Sequence, residues 1–186
     1  MSERAAFTRM DVSTREEWMT IGRATMEIQQ GVPDQILGML RKLEGLHAGF
    51  GVDQLHHALQ TATMAKRANA ADDVIAGALC HDMGKVISIP NHGAIAAEIL
   101  KPYVSSDVYH VLRTHQDFQG RHYYGHFGKD TTLRENYRNE PWFALAERFT
   151  DEWDQAAFDP DYKVLPLAEF EPLIHQLFAR YPFGKD

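Results

Sequence analysis

Residues 74–85 read Val74-Ile75-Ala76-Gly77-Ala78-Leu79-Cys80-His81-Asp82-Met83-Gly84-Lys85. An apolar run of small and aliphatic residues ends on an ionisable pair. The pattern predicts a helix from about Asp72 to Met83, with Val74, Ile75, Ala78 and Leu79 facing inward. Adjacent side chains on a helix point about 100° apart, so His81 and Asp82 can share one site only at a helix end or a distortion. Alone, the pair is a weak signal, and a capped surface helix end accounts for it equally well.

The surrounding chain reads as helices as well. Ser13 with Glu16 and Thr14 with Glu17 form two overlapping capping boxes that open a first helix. Gly31 and Pro33 separate it from a second, over 34–44, which Gly45 closes. Residues 46–51 form a loop, and Asp53 is the N-cap of a helix bearing Leu55, Ala58, Leu59, Ala62 and Ala65. A short helix follows over 92–100, and Ser105 or Ser106 caps another. From Gln116 to Arg138 no period is evident, which predicts a long functional loop with one short helical piece. Pro141 opens a helix through Trp153, and a last helix covers 167–180. No strand alternation, repeat or low-complexity tract appears. The fold class is all-α.

Composition narrows the function classes. The 186 residues are 44% hydrophobic and 24% charged, as in a folded globular protein with one core. There is no apolar run of membrane-spanning length and no signal-peptide core at the N-terminus, and Cys80 is the single cysteine; a cytoplasmic, reducing setting is expected. A net charge of −7 argues against nucleic acid as a partner. It leaves room for an anionic small molecule, because bound metal makes a local positive site. Oligomeric state is left open.

Four further ionisable residues change the weight of the His81-Asp82 pair. His57, His92, His115 and Asp154 each sit on or beside an apolar helical face. Buried ionisable groups are costly unless paired or coordinated, and helical bundles build metal sites from such inward faces. Asp151 competes with Asp154, three residues away, and His56 competes with His57. His110 and His175 read as surface or partly buried positions, and His126 as part of an aromatic cluster with Tyr123, Tyr124 and Phe127.

The order His57, His81-Asp82, His92, His115, Asp154 resembles the HD-domain superfamily over about residues 53–156. The strings His57-Ala58-Leu59-Gln60-Thr61-Ala62 and His81-Asp82-Met83-Gly84-Lys85 look like those of its small diiron oxygenases, among them myo-inositol oxygenase and the enzymes that oxidatively cleave organophosphonates. The resemblance implies a single compact helical HD domain over residues 1–186, with helices 13–45 and 167–180 packed on its metal-binding core. Within it a buried dinuclear site is implied. His57, His81, Asp82 and Asp154 would bind one iron, His92 and His115 the other, with Asp82 bridging. It further implies a mixed-valent Fe(II)/Fe(III) pair, O2 as co-substrate, and a small anionic or polyhydroxylated substrate of phosphonate or polyol type. Lys85 falls where these oxygenases place a substrate contact and would be both a catalytic and a substrate-binding residue. Arg121 and His122 would bind substrate from a loop over the open metal; Arg suits a phosphonate or carboxylate.

One departure stands out. Phosphonate-cleaving relatives carry a Tyr and a Glu as a lid in the loop before the first His, and Leu46-His47-Ala48-Gly49-Phe50-Gly51-Val52 has neither. His47 or Phe50 would take a different part. Donor chemistry alone suits iron, manganese or zinc, so a metal-dependent phosphohydrolase acting on a nucleotide or phosphate ester is the rival expectation. A non-catalytic binding module is a third, and it would have no need of open metal positions.

Overall fold

The computed structural model describes residues 4–179, whose regular structure is all helical, with no strand among them. The helices are α1 (Arg15–Gln30), α2 (Val32–Arg41), α3 (Gln54–Arg67), α4 (Asp72–Cys80), α5 (His92–Leu100), α6 (Ser106–Tyr123), α7 (Phe143–Arg148) and α8 (Glu171–Phe178). Short 3-10 turns join several of them. Of the two overlapping capping boxes, Thr14 and Glu17 form the real one. The Ser13 hydroxyl instead donates to the Met10 carbonyl and accepts from the Trp18 indole N–H. Asp53 caps α3, accepting from the His56 N–H at 2.7 Å, and Ser105 caps α6.

Four expectations need correction. The helix begun at Asp72 stops at Cys80, and Met83–Val86 forms a separate 3-10 turn. The irregular stretch from Gln116 is helical as far as Tyr123, because Phe118 and Gly120 bury while Asp117 and Gln119 find polar partners. Its Gly120 is required: a Cβ there would lie 2.5 Å from the Tyr124 ring. The helix predicted from Pro141 breaks into α7 and a π-helical turn, Phe149–Asp154, where the Gln155 N–H reaches back five residues to the Thr150 carbonyl. The C-terminal helix is likewise shorter than expected, and residue 180 lies outside the described residues.

α3 packs on α4 and on the π turn, and α5 on α6. α3 and α4, packed on each other, carry Ala58, Ala62, Ala65, Ala76 and Ala78, all fully buried. Such small side chains bring backbones close, and they set His57 and His81 within reach of each other. Leu37, Leu40 and Leu43 join Phe170, Ile174 and Phe178 of the α8 region to close the other side of the core. α1 buries none of its residues. No helix among the described residues is long and apolar enough to cross a membrane.

Candidate metal centre

The break after Cys80 decides the site. His81 keeps helical backbone angles, whereas Asp82 moves to φ −101°, ψ 0°, so the two side chains leave the chain at an irregular point and converge. α3 contributes His57, the N-terminus of α5 His92, the middle of α6 His115, and the π turn Asp154. All six side chains are at most 4% exposed by residue.

Each imidazole is fixed through its Nδ1. His57 bonds the Ala157 carbonyl at 3.0 Å, His81 that of Ala78 at 2.8 Å, His92 that of Ile89 at 2.7 Å and His115 that of Leu112 at 2.7 Å. A carbonyl only accepts, so Nδ1 carries the proton in all four rings. Every Nε2 is then left as a ligand atom aimed inward, the arrangement that such carbonyls give to metal-bound imidazoles. The Nε2 atoms pair off: His57 with His81 at 3.1 Å, and His92 with His115 at 3.2 Å.

The carboxylates lie between the pairs. Asp82 Oδ1 is 2.9 Å from His92 and 3.6 Å from His115, while its Oδ2 is 3.4 Å from both His57 and His81. Asp154 Oδ1 faces His57 at 3.1 Å and His81 at 3.4 Å. Oδ1 of Asp82 and Oδ1 of Asp154 are buried and accept no hydrogen bond, a costly state for an ionised oxygen. One such oxygen lies in each half of the site. Burial resists charge on His81, but Asp82 and Asp154 outweigh it and hold its imidazolium up to about 10; His57 is raised in the same way. Burial also opposes ionisation of Asp82 and Asp154, yet His81 foremost keeps both well below the usual carboxylate range. The cluster calls for positive charge at its centre. His57, His81 and Asp154 form one buried group able to hold a metal ion, and His81, Asp82 and His115 another, with His81 where the two meet.

A family model for the HD domain matches residues 55–159, more than half of the chain. The chain belongs to the HD family. No curated protein matches it closely enough to name a nearer relative. The HD region runs from α3 to just beyond the π turn and so includes all six clustered residues, while α1, α2 and α8 lie outside it.

The remaining candidates of this HD protein fall differently. The Lys85 ammonium reaches in, donating to Asp82 Oδ2 at 2.5 Å and to Gln54 Oε1 at 2.6 Å. Arg121 and His122 do not join the cluster. They stand on the last turns of α6, and both face Asp151, His122 at 3.0 Å and Arg121 at 3.9 Å. Asp151 is engaged by the buried Arg134 as well, and the π turn separates it from Asp154, which alone enters the cluster. His56 is half-buried with an unpartnered Nε2, and His110 stacks on Trp142. His126 and Phe127 are exposed, so the expected aromatic cluster reduces to ring contacts among Tyr123, Tyr124 and Phe127.

Several site residues carry no sequence signal of their own. Gln54 is fully buried under Lys85, with its amide orientation fixed by that lysine and its Nε2 unpartnered. Gln119, four residues after His115, donates to Asp154 Oδ2 at 2.6 Å. The helical spacing from His115 was the one available hint, since positions four apart share a face. Phe158 stacks on His57 with ring centroids 4.5 Å apart, and Phe50 stacks on Phe158 at 5.1 Å, within 6.0 Å of the Lys85 ammonium. Phe50, in the loop before α3, thus stands at the site's edge, and His47 of the same loop is exposed.

Proposed function

We propose that this HD-family metalloenzyme is a nonhaem diiron oxygenase that oxidises or oxidatively cleaves a small hydroxylated substrate of phosphonate or polyol type. What carries the reading is the pair of orphaned carboxylate oxygens, each turned to a different pair of imidazole Nε2 atoms. Two half-sites with oriented nitrogen donors and one carboxylate between them fit two divalent cations. Four His and two Asp suit iron. His57, His81, Asp82 and Asp154 would hold one ion, and His92, His115 and the other oxygen of Asp82 the second. The strings around His57 and His81 are what point to the oxygenase branch.

Bound iron would supply Lewis acidity and a one-electron couple for O2 chemistry. The chain's own residues do the rest. The backbone carbonyls of Ala157, Ala78, Ile89 and Leu112 hold the imidazoles in the ligand tautomer. The half around His92 and His115 has the fewer protein donors, so substrate oxygens enter there. Two dipositive ions against two carboxylates leave about +2, which favours an anionic or chelating substrate. Lys85, held over Asp82, adds an ammonium donor for that substrate, and the Phe50–Phe158 stack keeps water from the His57 side.

The same donors and the same positive charge serve a metal-dependent phosphohydrolase, and family membership supports that reading equally. Reconstitution with Fe(II) under argon, followed by partial oxidation, decides between them. The oxygenase reading expects a coupled mixed-valent EPR signal and O2 uptake with a hydroxylated phosphonate or polyol. Phosphate release from nucleotides without O2 uptake would replace it with the hydrolase.

A further inference from the structure

The two oxygens of Asp154 have different surroundings. Oδ1 has no hydrogen bond and faces His57 and His81, whereas Oδ2 accepts from the Gln119 amide at 2.6 Å. An amide N–H can only donate, so it occupies Oδ2 without neutralising the carboxylate. Gln119 also stands one turn beyond His115 on the same face of α6, so the bond joins the element holding one half of the site to the ligand of the other half.

We propose that Gln119 is a positioning residue: it limits Asp154 to a single metal-facing oxygen and couples the two half-sites through α6. This rests on the metal-centre reading above. Restricting Asp154 to one oxygen keeps a coordination position on the His57–His81 ion from being closed by a chelating carboxylate. It also fixes the carboxylate plane, because a side chain tied at one oxygen cannot rotate about its terminal bond. Partners of this kind set ligand orientation and contribute about 10- to 100-fold to metal affinity.

The test uses the full chain loaded with Zn(II), which is redox-silent. Wild type should hold two ions, released to a colorimetric chelator in two phases. Gln119→Met keeps side-chain volume and removes the donor. It should speed release from the His57–His81–Asp154 half by about 10- to 100-fold, with the other phase little changed. The splitting between the carboxylate stretching bands should change at the same time, as Asp154 loses the bond that fixed its plane. Gln60→Met is the structural control, since Gln60 is buried and bonds only the backbone of Asp159. It should lower the melting temperature without altering release. Should Gln119→Met fail to fold, Gln119→Asn is too short to reach Asp154 and gives the same reading. Two ions in wild type with unchanged release and bands in the folded Gln119 variant would overturn the positioning role alone. No bound Zn(II) in wild type would overturn the metal-centre reading, and this inference with it.

Discussion

The Lys85 ammonium lies 2.5 Å from Oδ2 of Asp82, the oxygen that also faces the imidazoles of His57 and His81 at 3.4 Å. A lysine and a cation in that half-site therefore draw on one oxygen. In the proposed metal-loaded site Asp82 would be drawn to the ions, its hold on Lys85 would weaken, and the Gln54 amide would become the lysine's anchor.

Lys85→Ala should consequently retain both ions and release the one at His57–His81 more slowly. If the ammonium binds an anionic substrate, kcat/KM should fall by about 10- to 100-fold, the range for a charge-assisted hydrogen bond. Metal analysis and steady-state kinetics check both parts. Unchanged turnover with unchanged metal content would reduce Lys85 to a lid over Asp82.

The two halves should separate under mutation. His115→Ala removes a donor from the Asp82 Oδ1 side and should leave one ion per chain. Asp82→Ala removes the residue shared by both halves and should leave fewer than one. A His115→Ala protein that still binds two ions at wild-type affinity would contradict the pairing of His92 with His115.

Stability should depend on metal and pH together. In metal-free protein His81 holds its proton up to about 10, against an ordinary value of 6.5. That stabilisation is full below about pH 6.5 and is lost as pH climbs towards 10. Asp82 and Asp154, held low, contribute above the usual carboxylate range and lose their contribution in acid. The chelated protein should melt highest in mild acid. Metal binding releases the same protons, so the gain in melting temperature on loading should widen from pH 6 to pH 9. A gap that stays constant across that range would mean the imidazoles are not the ligands.

Gly84→Ala tests why a glycine follows His81-Asp82-Met83. A Cβ there would lie 2.2 Å from the carbonyl oxygen of His92 and 2.8 Å from its Cα, both backbone atoms with no freedom to yield. The 3-10 turn and the start of α5 must move apart, at a cost of about 1–3 kcal/mol. His92 would move with α5, so chemical denaturation should show the loss and metal analysis a weakened second ion. Wild-type stability would mean that α5 slides freely at this contact.

Cys80 should be inert in the folded protein. Burial alone pushes its thiol up to about 12. Thiol reagents at pH 8 should label it only after unfolding, because the thiolate is the reactive form. Rapid labelling of the native chain would show that α4 opens.

The sequence determined the helices and the order of the ligand candidates, because both are recorded locally. Apolar residues recurring at helical spacing mark inward faces, and Thr14 with Glu17, or Asp53 alone, caps a helix with atoms only three residues away. The same logic placed His57, His81, Asp82, His92, His115 and Asp154 on buried sides. Only the tertiary structure decided which nitrogen meets which oxygen. That depends on how closely the alanine faces of α3 and α4 approach, on α6 continuing past Gln116, and on a π turn that carries Asp154 into the cluster and leaves Asp151 to Arg134. Gln54 was silent for the same reason, and Gln119 showed only its helical spacing from His115. An amide has no period and no charge to betray it, and its role is fixed by a partner 31 or 35 residues away along the chain.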